Sequence, residues 1–154
     1  MARFFGSDEA TVDEKGRFPL PVKFRRTLET IEGFSFHLQP GLQGEILAIP
    51  SEYFETIDER RADLDPNNVD DRAAAQVYGE IESCALDKAG RMTIPPLMRS
   101  QFGIDGSVIV SGAGPWLLIW KKAVYEARTA LDREKALAAS SQRKLRAPAP
   151  PAEA

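Results

Sequence analysis

Residues 10–28 read ATVDEKGRFPLPVKFRRTL, and residues 84–102 read CALDKAGRMTIPPLMRSQF. The second stretch repeats the first at a constant offset of 74 positions, so that Asp, Gly, Arg, Pro and a second Arg recur in the same order. Beyond these stretches the offset falls to 71, and EILAIPSEYFETI aligns with WLLIWKKAVYEAR. Because self-similarity at a fixed spacing marks repeated structural units, the sequence predicts two copies of one module.

Each copy has the pattern of a small β-rich unit. Alternating apolar residues on both sides of Asp-x-x-Gly predict two short strands. Pro21 and Pro95 stand where a short helix begins, and we expect that helix to end near Gly33 and Gly103. Two more strands and a closing helix complete each copy. The predicted strands are 34–39 and 45–49, then 107–111 and 116–120, and the predicted closing helices are 51–64 and 121–137.

The remaining segments connect or follow the copies. An additional helix is predicted at 69–78, after the helix breaker Asp65-Pro66. The tail from Ala138 is rich in Ala, Ser and Pro, and we expect it to be disordered. The predicted division is repeat 1 at 7–54, a helical linker at 55–80, repeat 2 at 81–126, and the end of the last helix with its tail at 127–154.

Neither copy is large enough to fold independently. A unit of about forty residues buries too little surface, so we expect the two copies to share one core around a pseudo-twofold axis. Pairing of this kind would also cover the edges of their sheets. The predicted fold class is α+β and mainly β.

The repeated signature is Asp-x-x-Gly-Arg, at residues 13–17 and 87–91. Each glycine is expected to adopt a positive φ and to close a tight loop between strands. Each aspartate can accept hydrogen bonds from loop N–H groups and from the arginine four residues on, which fixes the direction of the guanidinium. A guanidinium held in this way suits bidentate contact with guanine or with a phosphate. The loop-forming residues are therefore predicted to be Asp13, Gly16, Asp87 and Gly90.

A structural turn with an internal salt bridge is the alternative interpretation of this signature, and duplication of the motif does not exclude it. The net charge of −3 also disfavours a nucleic-acid partner. The charge is nevertheless segregated, since residues 52–71 contain eight acidic and two basic residues, whereas residues 15–26 contain five basic and no acidic residues. A focused basic patch can attract phosphates even on an acidic protein, because exposed charges beyond about 10 Å are largely screened.

Other residues suggest no catalytic or metal site. His37 is the only histidine and has no predicted metal partners, Cys84 is predicted to be a small buried hydrophobe, and Trp116 and Trp120 are predicted to pack. A single cysteine also excludes an intrachain disulfide and indicates a reducing compartment. With no apolar stretch of about 18 residues and no secretory signal pattern, we expect a cytoplasmic protein without membrane contact.

Asp13 and Asp87 are related by the repeat, as the two carboxyls of a catalytic dyad are. The residues that follow them are not those of aspartic proteases, and nearby arginines favour ionisation of both carboxyls. The sequence contains no phosphate-binding loop, nucleophile elbow or zinc spacing. We therefore expect no enzyme activity, cofactor, metal or small-molecule substrate.

These motifs resemble those of the MraZ family, bacterial regulators built from two SpoVT-AbrB-type repeats. The family pattern of Asp, three residues and Arg stands at 13–17 and 87–91, and is followed by Pro21 and Arg25 and by Pro95 and Arg99. The resemblance covers about residues 4–126. The tail beyond residue 137 and the acidic linker depart from it.

The resemblance implies a double-split β-barrel of the swapped-hairpin type with flanking helices, and a ring-shaped homo-oligomer. It also implies a nucleoid-associated regulator, usually a repressor, that binds short G-rich direct repeats in double-stranded promoter DNA of the division and cell-wall gene cluster. Carried over residue by residue, it assigns DNA contact to Lys15, Arg17, Lys88 and Arg91. The first copy is expected to contribute more, because Lys15 stands where the second copy has Ala89. A ring-forming protein-interaction module without DNA binding is the alternative.

Overall fold

A computed structural model describes residues 2–59 and 63–146, with side chains up to residue 142. The fold is α+β and mainly β, with a six-stranded antiparallel sheet and a separate two-stranded ribbon. The elements are β1 (Ser7–Thr11), β2 (Arg17–Pro19), α1 (Val22–Arg25), β3 (Ser35–Pro40), β4 (Ile46–Pro50), α2 (Ser51–Glu59), α3 (Val69–Ala75), a 3-10 helix (Gln76–Glu80), β5 (Glu82–Ala85), β6 (Arg91–Thr93), α4 (Pro96–Phe102), β7 (Ser107–Gly112), β8 (Leu117–Lys121) and α5 (Lys122–Arg146).

The first strand of each repeat pairs with the other repeat. The strand order of the large sheet is β1-β7-β8-β4-β3-β5, so β1 joins β7 of repeat 2 and β5 joins β3 of repeat 1. The second strands, β2 and β6, leave this sheet and pair with each other to form the ribbon. The Asp-x-x-Gly-Arg loops therefore connect strands of two different sheets and do not close hairpins.

Two registers define the pseudo-twofold axis expected from the sequence. Phe18 lies opposite Met92 in the ribbon, and Leu47 lies opposite Leu118 where β4 pairs with β8. Both pairs join residues that are equivalent in the two repeats, at the offsets of 74 and 71. An axis through both pairs therefore relates one repeat to the other.

A single core lies between the ribbon and the large sheet and draws on both repeats. Leu20 and Ile94, which are equivalent, have no exposed surface, and neither has Phe4 or Phe24. The rings of Phe4 and Phe24 meet edge to face with centroids 6.1 Å apart. Interleaving of the strands thus gives each repeat a core that it could not bury by itself.

Several predicted boundaries were wrong. The helix α1 ends at Arg25, well before Gly33, which lies with φ 82° just ahead of β3. Its counterpart α4 does end at Gly103, with φ 60° as a left-handed C-cap. Residues 63 and 64, which were predicted to lie in α2, are not helical, and the predicted linker helix is α-helical only to Ala75 before continuing as a 3-10 helix.

The tail prediction was wrong for residues 138–146, which continue α5 as a helix. Ala, Leu, Gln, Lys and Arg dominate this segment, and all of them are good helix formers. The prolines that suggested disorder begin only at Pro148. Residues 147–154 lie outside the described residues. In the described ranges, no helix is both long and apolar enough to cross a membrane.

Candidate nucleic-acid interface

The loop at residues 13–17, here called turn 1, is organised by one carboxylate. Oδ1 of Asp13 accepts hydrogen bonds from the backbone N–H groups of Lys15 at 2.9 Å and Arg17 at 2.8 Å. Its Oδ2 accepts one from Nε of Arg17 at 2.8 Å. Gly16 has φ 81° and donates its N–H to the Asp13 carbonyl at 3.0 Å. Asp13 and Gly16 therefore shape the loop, the first through its carboxylate and the second through its positive φ.

The loop at residues 87–91, turn 2, has the same construction. Asp87 accepts from the N–H groups of Ala89 and Arg91 at 2.9 Å each, and from Nε of Arg91 at 2.7 Å. Gly90 has φ 76°. Because both turns use the same bonds, each guanidinium leaves its turn with the same fixed orientation.

Hydrogen bonding favours the ionised form of both carboxyls. The backbone N–H of Arg17 is the largest cause that lowers the pKa of Asp13 below its ordinary value, and the Arg17 guanidinium lowers it further against a partial desolvation. The backbone N–H of Arg91 is likewise the main cause that lowers the pKa of Asp87. Both aspartates are therefore anionic at neutral pH and keep their arginines in place.

The ribbon brings the two motif arginines onto one surface. Arg17 lies opposite Thr93 in the register, and Arg91 lies opposite Pro19. Phe18 and Met92 between them point into the core, so the four flanking residues share the outward face. The side chains of Arg17 and Arg91 remain 33% and 38% exposed despite their bonds to aspartate. The two arginines are diagonal neighbours across the ribbon, an arrangement in which residues are typically about 7–8 Å apart.

The two predicted lysines lie at opposite ends of this ribbon. Lys15 in turn 1 and Lys88 in turn 2 are both exposed, and they occupy adjacent rather than equivalent loop positions. Lys23 does not join them, since its Nζ donates to the Ser7 carbonyl at 2.9 Å. The ribbon and its turns carry the basic residues Lys15, Arg17, Lys88 and Arg91 and the acidic residues Asp13, Glu14 and Asp87, and two further arginines, from α1 and α4, lie against the turns. The local charge is therefore positive although the whole chain is acidic.

Arg25 and Arg99 were matched as equivalent residues but received no predicted role. The side chain of Arg99 reaches turn 1, where Nη1 donates to the Glu14 carbonyl at 3.2 Å. The side chain of Arg25 lies against Gly90 of turn 2. Each of these arginines follows the motif arginine of its own repeat at the same distance in sequence, and this spacing was the available sequence signal. The contact of each with the opposite repeat results from the exchange of strands, which the sequence does not show.

The remaining candidate residues have structural surroundings. His37 stacks on Phe54 with ring centroids 4.1 Å apart, and its Nδ1 lies 3.0 Å from the Ser51 hydroxyl. Cys84 is buried, and desolvation raises the pKa of its thiol. Trp120 is buried and donates from Nε1 to the Ser111 hydroxyl at 3.0 Å. Trp116 is half-buried, with its ring centroid 5.9 Å from that of Tyr53. No cluster of three potential metal ligands occurs in the described part of the chain.

Comparison with known proteins agrees with the motif resemblance. A family model described as "MraZ protein, putative antitoxin-like" matches residues 77–147, which span repeat 2 and α5. A protein of Lactiplantibacillus plantarum named "Transcriptional regulator MraZ" is 34% identical over 118 residues, covering 76% of this chain and 81% of the relative. The chain belongs to the MraZ family.

Other relatives of the same name match over similar lengths. The relative from Caldanaerobacter subterraneus subsp. tengcongensis is 34% identical, with 79% of this chain and 82% of the relative covered. The relative from Moorella thermoacetica is 30% identical, with 88% of this chain and 94% of the relative covered. The similarity to MraZ proteins therefore extends over most of the chain.

Proposed function

We propose that this protein is a sequence-specific DNA-binding transcriptional regulator that reads the major groove with the outward face of its β2–β6 ribbon. The observation that carries the proposal is the placement of Arg17 and Arg91 on one exposed face, each oriented by its own aspartate. A two-stranded ribbon fits a major groove about 12 Å wide. Names of the relatives as transcriptional regulators support the same function.

Arginine favours guanine among the bases, because its planar fork donates to both O6 and N7. The diagonal spacing of about 7–8 Å matches the rise over roughly two base-pair steps of about 3.4 Å. Arg17 and Arg91 would therefore contact guanines in nearby steps, and Lys15 and Lys88 would contact the flanking phosphates. This arrangement supports a short G-rich DNA word. The family resemblance supports the promoter of the division and cell-wall gene cluster as the proposed target, and repression as the proposed effect.

One ribbon offers few base contacts, and each bidentate pair discriminates by only about 1–3 kcal/mol. We infer that several copies assemble into a ring and bind direct repeats together, since linked sites raise avidity by about 10²–10⁴. The interchange of first strands also supports the double-split form of barrel and the division into repeats at 7–54 and 81–126. We propose that the protein acts in the cytoplasm on the nucleoid, with neither a cofactor nor a small-molecule substrate.

Fluorescence anisotropy with the DNA upstream of the protein's own coding region tests the function. Arg17→Ala is expected to weaken binding to that DNA by about 10–100-fold, the equivalent of one bidentate base contact. Arg72→Ala removes the same charge from α3, away from the ribbon, and is expected to change affinity by less than about threefold. Equal effects of the two substitutions would refute the proposed interface.

An acidic surface supports the second candidate, a protein-interaction module. Six acidic residues of α2, α3 and the segment between them are exposed: Glu52, Glu55, Glu59, Asp63, Asp65 and Asp70. If the unaltered protein shows no preference for any upstream sequence over a scrambled one at low salt, the interaction module becomes the better explanation.

A further inference from the structure

We propose that Arg25 and Arg99 are positioning residues, each of which holds the turn of the opposite repeat in place. The inference deepens the proposed function and depends on it for its meaning in DNA binding. The arrangement itself concerns the free protein and can be tested without DNA.

The contacts of Arg99 with turn 1 are close. A Cβ added at Gly16 would lie 2.6 Å from Nε and 2.8 Å from Cδ of Arg99, so the side chain lies directly against the bare Cα of that glycine. Nη1 of Arg99 donates to the Glu14 carbonyl. The backbone adds a second link across the repeats, since the N–H of Ile94 donates to the Gly16 carbonyl at 2.8 Å.

On the other side of the pseudo-twofold axis, the packing contact and the backbone hydrogen bond recur. A Cβ added at Gly90 would lie 2.9 Å from Cδ of Arg25. The N–H of Leu20 donates to the Gly90 carbonyl at 3.0 Å. Each turn is therefore held by the arginine and by the backbone of the repeat to which it does not belong.

The burial of one nitrogen in each of these half-buried arginines indicates that their charged heads have a role. Nε of Arg25 and Nε of Arg99 are both screened from solvent and have no hydrogen-bond partner. A buried donor without an acceptor lowers stability, so an apolar side chain of similar reach would suit simple packing better. Both positions nevertheless carry arginine, and each side chain lies against the turn of the opposite repeat.

The order of residues in turn 1 explains how Arg99 can affect the orientation of Arg17. Arg99 contacts Glu14 and Gly16, which lie between Asp13 and Arg17, the two ends of the turn's own ion pair. Loss of the Arg99 contacts would leave the segment between Asp13 and Arg17 free to change its conformation. The orientation of Arg17 would then vary, although its bond to Asp13 could still form.

Amide hydrogen exchange on the full chain without DNA tests the arrangement. Arg99→Met is expected to raise the exchange rate of the Gly16 and Arg17 amides about tenfold, because one hydrogen bond from a charged group is lost. Exchange in turn 2 should not change. Arg25→Met should do the reverse, raising exchange at Gly90 and Arg91 only. Arg26→Met, at the exposed neighbouring position, is the control and should change neither turn.

A crossed pattern of this kind supports the proposal, whereas exchange that rises only in the substituted repeat, or in neither turn, overturns it. If either methionine variant fails to fold, Arg99→Lys and Arg25→Lys are measured instead, and the same crossed pattern is expected. Lysine keeps the stem and the charge but lacks the fork that reaches the turn.

A double-mutant cycle then separates positioning from direct DNA contact. If Arg99 acts through Arg17, the variant with both Arg99→Met and Arg17→Ala should bind DNA within about twofold of Arg17→Ala alone. Additive losses would make Arg99 an independent contact and would refute the positioning role. If Arg17→Ala itself has no effect on binding, the proposed function fails, while the exchange experiment still decides whether the turns are held across the repeats.

Discussion

Phe18 and Met92 lie directly opposite each other in the ribbon, and neither side chain has any exposed surface. They are equivalent residues of the two repeats and occupy the inward face of strands whose outward face carries Arg17 and Arg91. The proposed DNA-reading surface is therefore attached to the core through one buried pair. The strands of the ribbon have only three residues each, so this pair supplies most of their anchorage.

Removal of the Phe18 ring should destabilise the whole protein. Phe18→Ala is expected to lower the free energy of unfolding by about 3–5 kcal/mol, the usual cost of deleting a fully buried aromatic ring. Urea unfolding at a fixed protein concentration measures it. Phe5→Ala is the matched control, since Phe5 is 70% exposed, and its cost should stay below about 0.5 kcal/mol. Similar costs for both would contradict the described burial.

Two glycines with the same backbone conformation should differ in their tolerance of alanine. Gly16 has φ 81° and Gly33 has φ 82°, but only Gly16 is crowded, by Arg99 and by the Ile94 carbonyl. Gly33→Ala is expected to cost about 1–2 kcal/mol from the positive φ alone. Gly16→Ala should cost at least twice as much, and thermal unfolding of the two variants measures the difference. Equal costs would show that the contact across the repeats is loose.

Loss of the Asp13 charge should weaken specific DNA binding even though it makes the protein more basic. Asp13→Asn removes the ionic partner that orients Arg17, so the ratio of specific to scrambled-DNA affinity should fall about tenfold. Glu14→Gln removes the same charge from the adjacent exposed position and should strengthen binding to both DNAs alike. Anisotropy titrations at one salt concentration compare them, and an unchanged ratio for Asp13→Asn would argue against orientation by the carboxylate.

Acid should lower the stability of the protein by protonating the aspartates of the two turns. The pKa of Asp13 and that of Asp87 are lowered in the fold, so their stabilising effect is complete above the unfolded value of about 3.9 and is lost as the pH falls through the lower folded values. The variant with Asp13→Asn and Asp87→Asn should therefore lose less stability than the unaltered protein as the pH falls below about 4. Asp105→Asn, at an exposed loop position, serves as the control. Parallel curves for all three proteins would contradict the prediction.

Much of the site could be predicted because its determinants are local. The spacing of Asp13, Gly16 and Arg17 is set by one tight turn, and both the positive φ and the bonds to the carboxylate follow from residue type alone. The repeat offset likewise predicted equivalent strands and a shared axis. Helix ends were harder to predict. Gly33 has the positive φ of a C-cap but belongs to a separate turn. The Ala- and Ser-rich composition after Ala138 was interpreted as disorder, although most residues up to Arg146 are good helix formers.

The pairing of strands could not be predicted from the pattern. An alternating strand fits equally well beside its neighbour in sequence or beside a distant partner, and nothing in residues 7–19 selects between them. The interchange depends on the shared core, into which Leu20 and Ile94 must both point. For the same reason, the contacts of Arg25 and Arg99 with the opposite turns could be found only from the coordinates.

The pairing of Ser7 with Ser111 has a consequence for biosynthesis. Strand β1 leaves the ribosome long before its partner β7 is translated. It therefore remains unpaired while most of the polypeptide is synthesised. Formation of such distant pairs is slow, and exposed strand edges are prone to aggregate meanwhile. We therefore expect a fragment that ends at Glu80 to accumulate as insoluble material, and refolding of the intact chain to be slower than that of a helical protein of equal length.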